Sequence, residues 1–121
     1  MVDPSRRLVW IGRSEKDFSG FARDVRDILL EALEDARRGA KEVRGAKPLS
    51  HGLLKGLGII ELVEDFGGDT YRAVYTTKVG SVLAVLHVFK KKSKTGIATP
   101  QHEIELIRSR YLTAIREYSD E

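Results

Sequence analysis

Four lysines fall within five positions at Lys90-Lys91-Lys92-Ser93-Lys94. An ammonium group is a point charge suited to phosphate, and several together give binding that weakens steeply with salt. The competing reading is a solvated strand end, where lysines also discourage edge pairing. His87 lies three residues upstream. Its ordinary pKa near 6.5 suits proton transfer, although a histidine in an apolar strand is more often a packed residue bonded to backbone. Arg72 and Glu61 are the other charged residues set among apolar neighbours. Cleavage of RNA by attack of its own 2′-hydroxyl needs a base, an acid and cations on the phosphorane. Arg72, the lysines, and either His87 or Glu61 are residue types that fill those roles.

Other chemistries find less support. Gly52-Leu-Leu-Lys-Gly-Leu-Gly58, which contains Lys55, resembles a phosphate loop but precedes a strand instead of opening a helix. His102-Glu103 lies on an expected helix, with His51 and His87 elsewhere in the sequence, so no metal-ligand spacing stands out. Ser50-His51 lacks an ordered acid partner, and a hydrolase triad is not supported. No cofactor is expected. The 121 residues include no Cys, which excludes disulfides, thiolate zinc sites, iron–sulfur clusters and cysteine nucleophiles.

One domain with one modest core is the expected organisation. Charged residues make up 32% and hydrophobic residues 41%, a globular profile. No uncharged run approaches the roughly 20 residues of a membrane helix, and no signal peptide is visible, so a cytoplasmic location is expected. The net charge is +3, unevenly spread. No acidic residue occurs between Asp69 and Glu103, and that stretch carries +6 against −3 for the rest. Such asymmetry points toward a polyanionic partner.

The elements that must position these residues follow from periodicity. Leu8 to Ile11 reads as a strand ended by Gly12. Ser14 is a candidate cap for a long helix running to Arg38, with Phe18, Phe21, Val25, Ile28, Leu29, Ala32, Leu33 and Ala36 as its apolar stripe and Gly39 as its stop. Ala40 to Pro48 reads as a connector. Ile59–Glu64, Thr70–Thr77 and Ser81–Phe89 then form a meander, turning at Gly67-Gly68 and at Lys78-Val79-Gly80. Thr99-Pro100 opens a last helix, Thr as cap. The expected fold is α+β: a curved, mostly antiparallel sheet with one face on the long helix and the first strand at the meander's edge. Alternation places Tyr71, Ala73 and Tyr75 toward that helix and Arg72 on the opposite, open face. Glu61, between Ile60 and Leu62, shares the face of Arg72. The competing reading of the two is a plain cross-strand ion pair.

The chain resembles the RelE/ParE toxin superfamily, in its phage-related HigB-like branch. The resemblance rests on Ile60-Glu61-Leu62, Tyr71-Arg72-Ala73-Val74-Tyr75, Leu86-His87-Val88-Phe89-Lys90-Lys91-Lys92, Thr95, and Thr99-Pro100 through Glu103-Ile104-Glu105 to Arg110. It covers the chain from Leu8 to Tyr118 and implies a single small RelE-like domain over residues 1–121. It also implies a type II toxin paired with a helix-turn-helix, HigA-like antitoxin. The ribonuclease members enter the ribosome and cut mRNA; ParE-like members inhibit gyrase instead, and a non-toxin phage-derived nucleic-acid binder is a third reading. The first of these makes Arg72, His87 and Lys92 the catalytic candidates. Lys55, Lys90, Lys91 and Lys94 are then candidates for RNA binding, and Glu61 for an acid, a base or an ion-pair partner. The branch's first-strand lysines are replaced here by Glu61, and no catalytic residue near the C-terminus is assigned.

Overall fold

The computed structural model describes residues 5–92 and 99–121. Apolar and β-branched runs give the strands β1 (Arg7–Trp10), β3 (Ile59–Phe66), β4 (Asp69–Thr76) and β5 (Val82–Lys92), and the exposed segment Ala46–Pro48 adds β2. The helices are α1 (Ser14–Ser19), α2 (Arg23–Arg37) and α3 (Gln101–Tyr118), and a 3₁₀ turn spans Gly52–Leu54. The sheet order is β1-β5-β4-β3-β2. Only β1, lying against β5, is parallel; the other three pairings are antiparallel. The expected α+β class, meander and edge position of the first strand are all present. Gly67 and Gly68, both at positive φ, make the β3–β4 hairpin turn, a geometry that suits the twist of the flanking strands.

Four local expectations are corrected. The helix from residue 15 to 38 is broken: Gly20 ends α1, and Ala22 is extended before α2. The break lets aromatic rings run in series from Trp10 to Phe18 to Phe21 to Tyr71, with centroids 4.9–5.9 Å apart. Ser14 does not cap; its buried hydroxyl donates to the Val85 carbonyl at 3.1 Å. The connector before Pro48 contributes β2, a short exposed edge strand on β3. β5 does not stop at Phe89 but continues through Lys92, paired with Asp69.

The fifth correction concerns the sheet's second face, which is not open. One face carries Leu62, Tyr71, Ala73, Tyr75, Leu83, Val85 and Val88 against α1 and α2. On the other, α3 lays Ile104, Ile107 and Ala114 over Ile59, Val74, Ala84 and Leu86. The last helix has its own apolar stripe, and only that sheet face remains for it to cover.

Candidate functional site

β3 and β4 run side by side with Glu61 opposite Val74 and Arg72 opposite Val63. All four side chains therefore share the α3 face, as alternation requires. Arg72 Nη1 donates to Glu61 Oε1 at 2.8 Å. Thr99 Oγ1 donates to the second Glu61 oxygen at 2.7 Å, so this threonine closes an ion pair instead of capping α3. Lys47 Nζ approaches Glu61 from β2 at 3.9 Å. Arg72 and Glu61 are each 1% exposed. The open-face placement of Arg72 is thus corrected, and the ion-pair reading describes the geometry. A guanidinium that is 1% exposed and held by a carboxylate has no open route to a phosphate.

A second polar cluster lies where β5 meets α3. A β-bulge at Val74/Tyr75 shifts the β4–β5 register and sends both Leu86 and His87 toward α3. His87 is 5% exposed and stacks on Phe89. Its Nε2 bonds to Glu103, and Arg110 Nη1 lies 3.2 Å from its Nδ1. An arginine can only donate, so Nδ1 accepts and the proton sits on Nε2, where it is given to the Glu103 carboxylate. Burial holds His87 below its usual 6.5, outweighing the lift from Glu103. Both ring nitrogens are engaged, and a second proton would face the Arg110 cation. His87 in this arrangement is a packed, neutral residue.

Arg110 also donates to the Leu86 carbonyl at 3.1 Å. Its guanidinium lies over Gly12: a Cβ there would come within 2.9 Å of Nε, and φ is +59°. Glycine at the end of β1 makes this close approach possible. Glu103 is shared. His102 Nε2 reaches its other oxygen at 3.1 Å, and the His102 side chain is 77% exposed. One carboxylate thus joins a buried histidine to a solvent-facing one.

The lysines are on a strand, not in a loop. Lys90, Lys91 and Lys92 pair with Tyr71, Thr70 and Asp69; Lys94 lies outside the described residues. The 3₁₀ turn ending at Lys55 leads into the Ile59 end of β3, beside Thr76, whereas Lys92 is at the Asp69 end. Lys55 is therefore not part of the Lys90–Lys92 group. A groove of about 800 Å³ lies elsewhere again, along β2, lined by Lys41, Arg44, Lys47, Ile60 and Tyr75 among others, with no histidine.

The family described as phage-derived protein Gp49-like (DUF891) matches residues 16–112, most of the chain. The chain belongs to the Gp49-like family. A comparison with curated proteins found no match. The Gp49-like match spans Glu61, Arg72, His87, the lysines, Glu103 and Arg110. Of these, Glu103 and Arg110 were given no role in the sequence reading. The available signal was their separation of seven residues, two helical turns, which puts both on one face of α3. Among the described residues, no group of side chains in this Gp49-like chain is arranged to hold a metal, and no helix is long and apolar enough to cross a membrane.

Proposed function

We propose that this Gp49-like chain is the toxin of a type II toxin–antitoxin module of the HigB-like kind, and that it inhibits translation by cutting mRNA on the ribosome. The observation that carries the chemistry is the Glu103 carboxylate bridging His87 and the exposed His102, on a helix packed against the lysine-bearing strand. The His102 side chain is open to solvent and within reach of an RNA strand, while Glu103 orients its ring. Lys91, which faces α3, supplies a phosphate contact in this reading, and Lys90 and Lys92 hold RNA on the other side of the sheet. Arg72 and His87 support the site from beneath. The partners are a helix-turn-helix antitoxin, the ribosome and mRNA.

The burial of Arg72 favours a second reading, a gyrase-binding toxin without nuclease chemistry. Inducing the wild-type protein and mapping mRNA ends alongside gyrase-dependent DNA breaks separates the two. New mRNA ends that vanish with His102→Ala support ribonuclease action. DNA breaks without mRNA ends overturn it.

A further inference from the structure

We propose that the lysine end of the sheet, on its α2 face, is a platform for single-stranded nucleic acid: Phe66 stacks a base, and Lys90 and Lys92 hold the flanking phosphates. The strand register builds this surface. Phe66 pairs with Asp69, which pairs with Lys92; one row inward, Glu64 pairs with Tyr71, which pairs with Lys90. Paired residues point to the same face. Tyr71 packs against Phe21 on the α2 side, so all six share that side. Phe66 and Lys92 are two strand spacings apart, about 10 Å.

Three features suit this surface to a flexible strand of RNA. Phe66 is 37% exposed, a large apolar side chain left partly open to solvent. The tip beside it is Gly67-Gly68, where even a Cβ would meet nothing within 4 Å, so a nucleotide backbone can approach closely. The Phe21–Tyr71 edge contact, with centroids 4.9 Å apart, gives the inner row a rigid floor. Glu64, on the same face as the lysines, is held by Arg44 at 2.9 Å. Asp65 points to the opposite face, where it accepts from Thr70 Oγ1 at 2.8 Å. Asp69 stays between the lysines, with Lys90 Nζ 3.8 Å from it and more than half exposed. Exposed pairs of this kind contribute little and are readily exchanged for a phosphate. A base must be unstacked to lie on the ring, so a single strand fits and a duplex does not.

The proposal goes beyond the ribonuclease reading, whose histidines lie on the α3 side, and rests on it only for the choice of RNA. The test uses the full chain and a fluorescent oligouridylate, with binding read by anisotropy across a salt series. Phe66→Ala and Phe66→Leu should each weaken binding by about tenfold, whereas Phe66→Trp should retain it, because one stacked base is lost or kept. Lys92→Ala should lower the log–log salt slope by about 0.7. Binding of inorganic polyphosphate, which has no bases, should not change in Phe66→Ala. Wild-type affinity in Phe66→Leu, or an equal loss for polyphosphate, overturns the platform. If wild-type protein cuts mRNA but Phe66 is irrelevant to oligouridylate, only the platform fails. If Phe66-dependent binding occurs without mRNA cleavage, only the ribonuclease reading fails.

Discussion

Arg72 and Glu61 sit where alternation puts them, yet their consequence differs from the one the sequence suggests. Two buried, hydrogen-bonded charges hold each other, and removing one strands the other in a low-dielectric interior. Arg72→Ala should therefore cost about 3–5 kcal/mol of stability, read as a lowered urea midpoint, and Glu61→Ala should match it. Cleavage compared at equal folded fraction then tests whether Arg72 is catalytic: near wild-type cleavage by folded Arg72→Ala makes it scaffolding, and a loss of about a hundredfold or more gives it a transition-state role. His87 makes a pH-dependent contribution. Burial lowers its folded pKa below the 6.5 of the unfolded chain, so the unfolded state binds the proton more tightly. The contribution is complete above pH 6.5 and is lost as pH falls below it. Urea midpoints should fall on acidification through that range, and His87→Leu should lack this component. The seven-residue spacing of Glu103 and Arg110 marks a shared helix face, but that this face docks on His87 is selected only by the three-dimensional packing.

At the scale of elements, β1, β3, β4 and the start of β5 were legible because apolar runs and turn glycines mark them, whereas β2, three exposed residues, carries no such mark. The stripe of α2 was equally plain, and Val25, Leu29, Ala32, Leu33 and Ala36 do lie in the core, with Ile28 half-buried. The split between α1 and α2 was less visible: a helical period runs through Phe18, Phe21 and Val25 whether or not Gly20 interrupts it. The extent of β5 was also hidden, since lysines have weak strand preference and are held there by the ladder with Asp69, Thr70 and Tyr71. That pairing fixes the lysines in an alternating array, with Lys91 on the α3 face and its neighbours on the other. Replacing Lys90, Lys91 and Lys92 with Ala should reduce the salt slope of ribosome binding by up to about 2 units. The melting temperature should change little for Lys90 and Lys92, which are exposed, since such substitutions usually fall within about 0.5 kcal/mol; half-buried Lys91 adds more. An unchanged slope removes this strand end from the binding surface.

The whole molecule is electrically uneven, with its basic stretch flanked by a mildly acidic remainder. An antitoxin with an acidic segment should associate faster at low salt and cover the end of β5, because complementary charge steers encounter. Hydrogen exchange of the complex should show protection at Lys90 to Lys92; protection confined to the acidic body indicates inhibition by bulk, not by masking. The sheet order has a consequence for how the molecule is made. β1 is synthesised first but lies beside β5, with Arg7 opposite Val82. Its ladder cannot close until most of the chain has left the ribosome, and β5 must then enter between β1 and β4. Such distant closure slows folding toward the millisecond-to-second range, on the order seen for sheets dominated by non-local pairing. During synthesis, then, β1 waits without its neighbour, and the lysine strand and the α3 cluster are assembled together at the end.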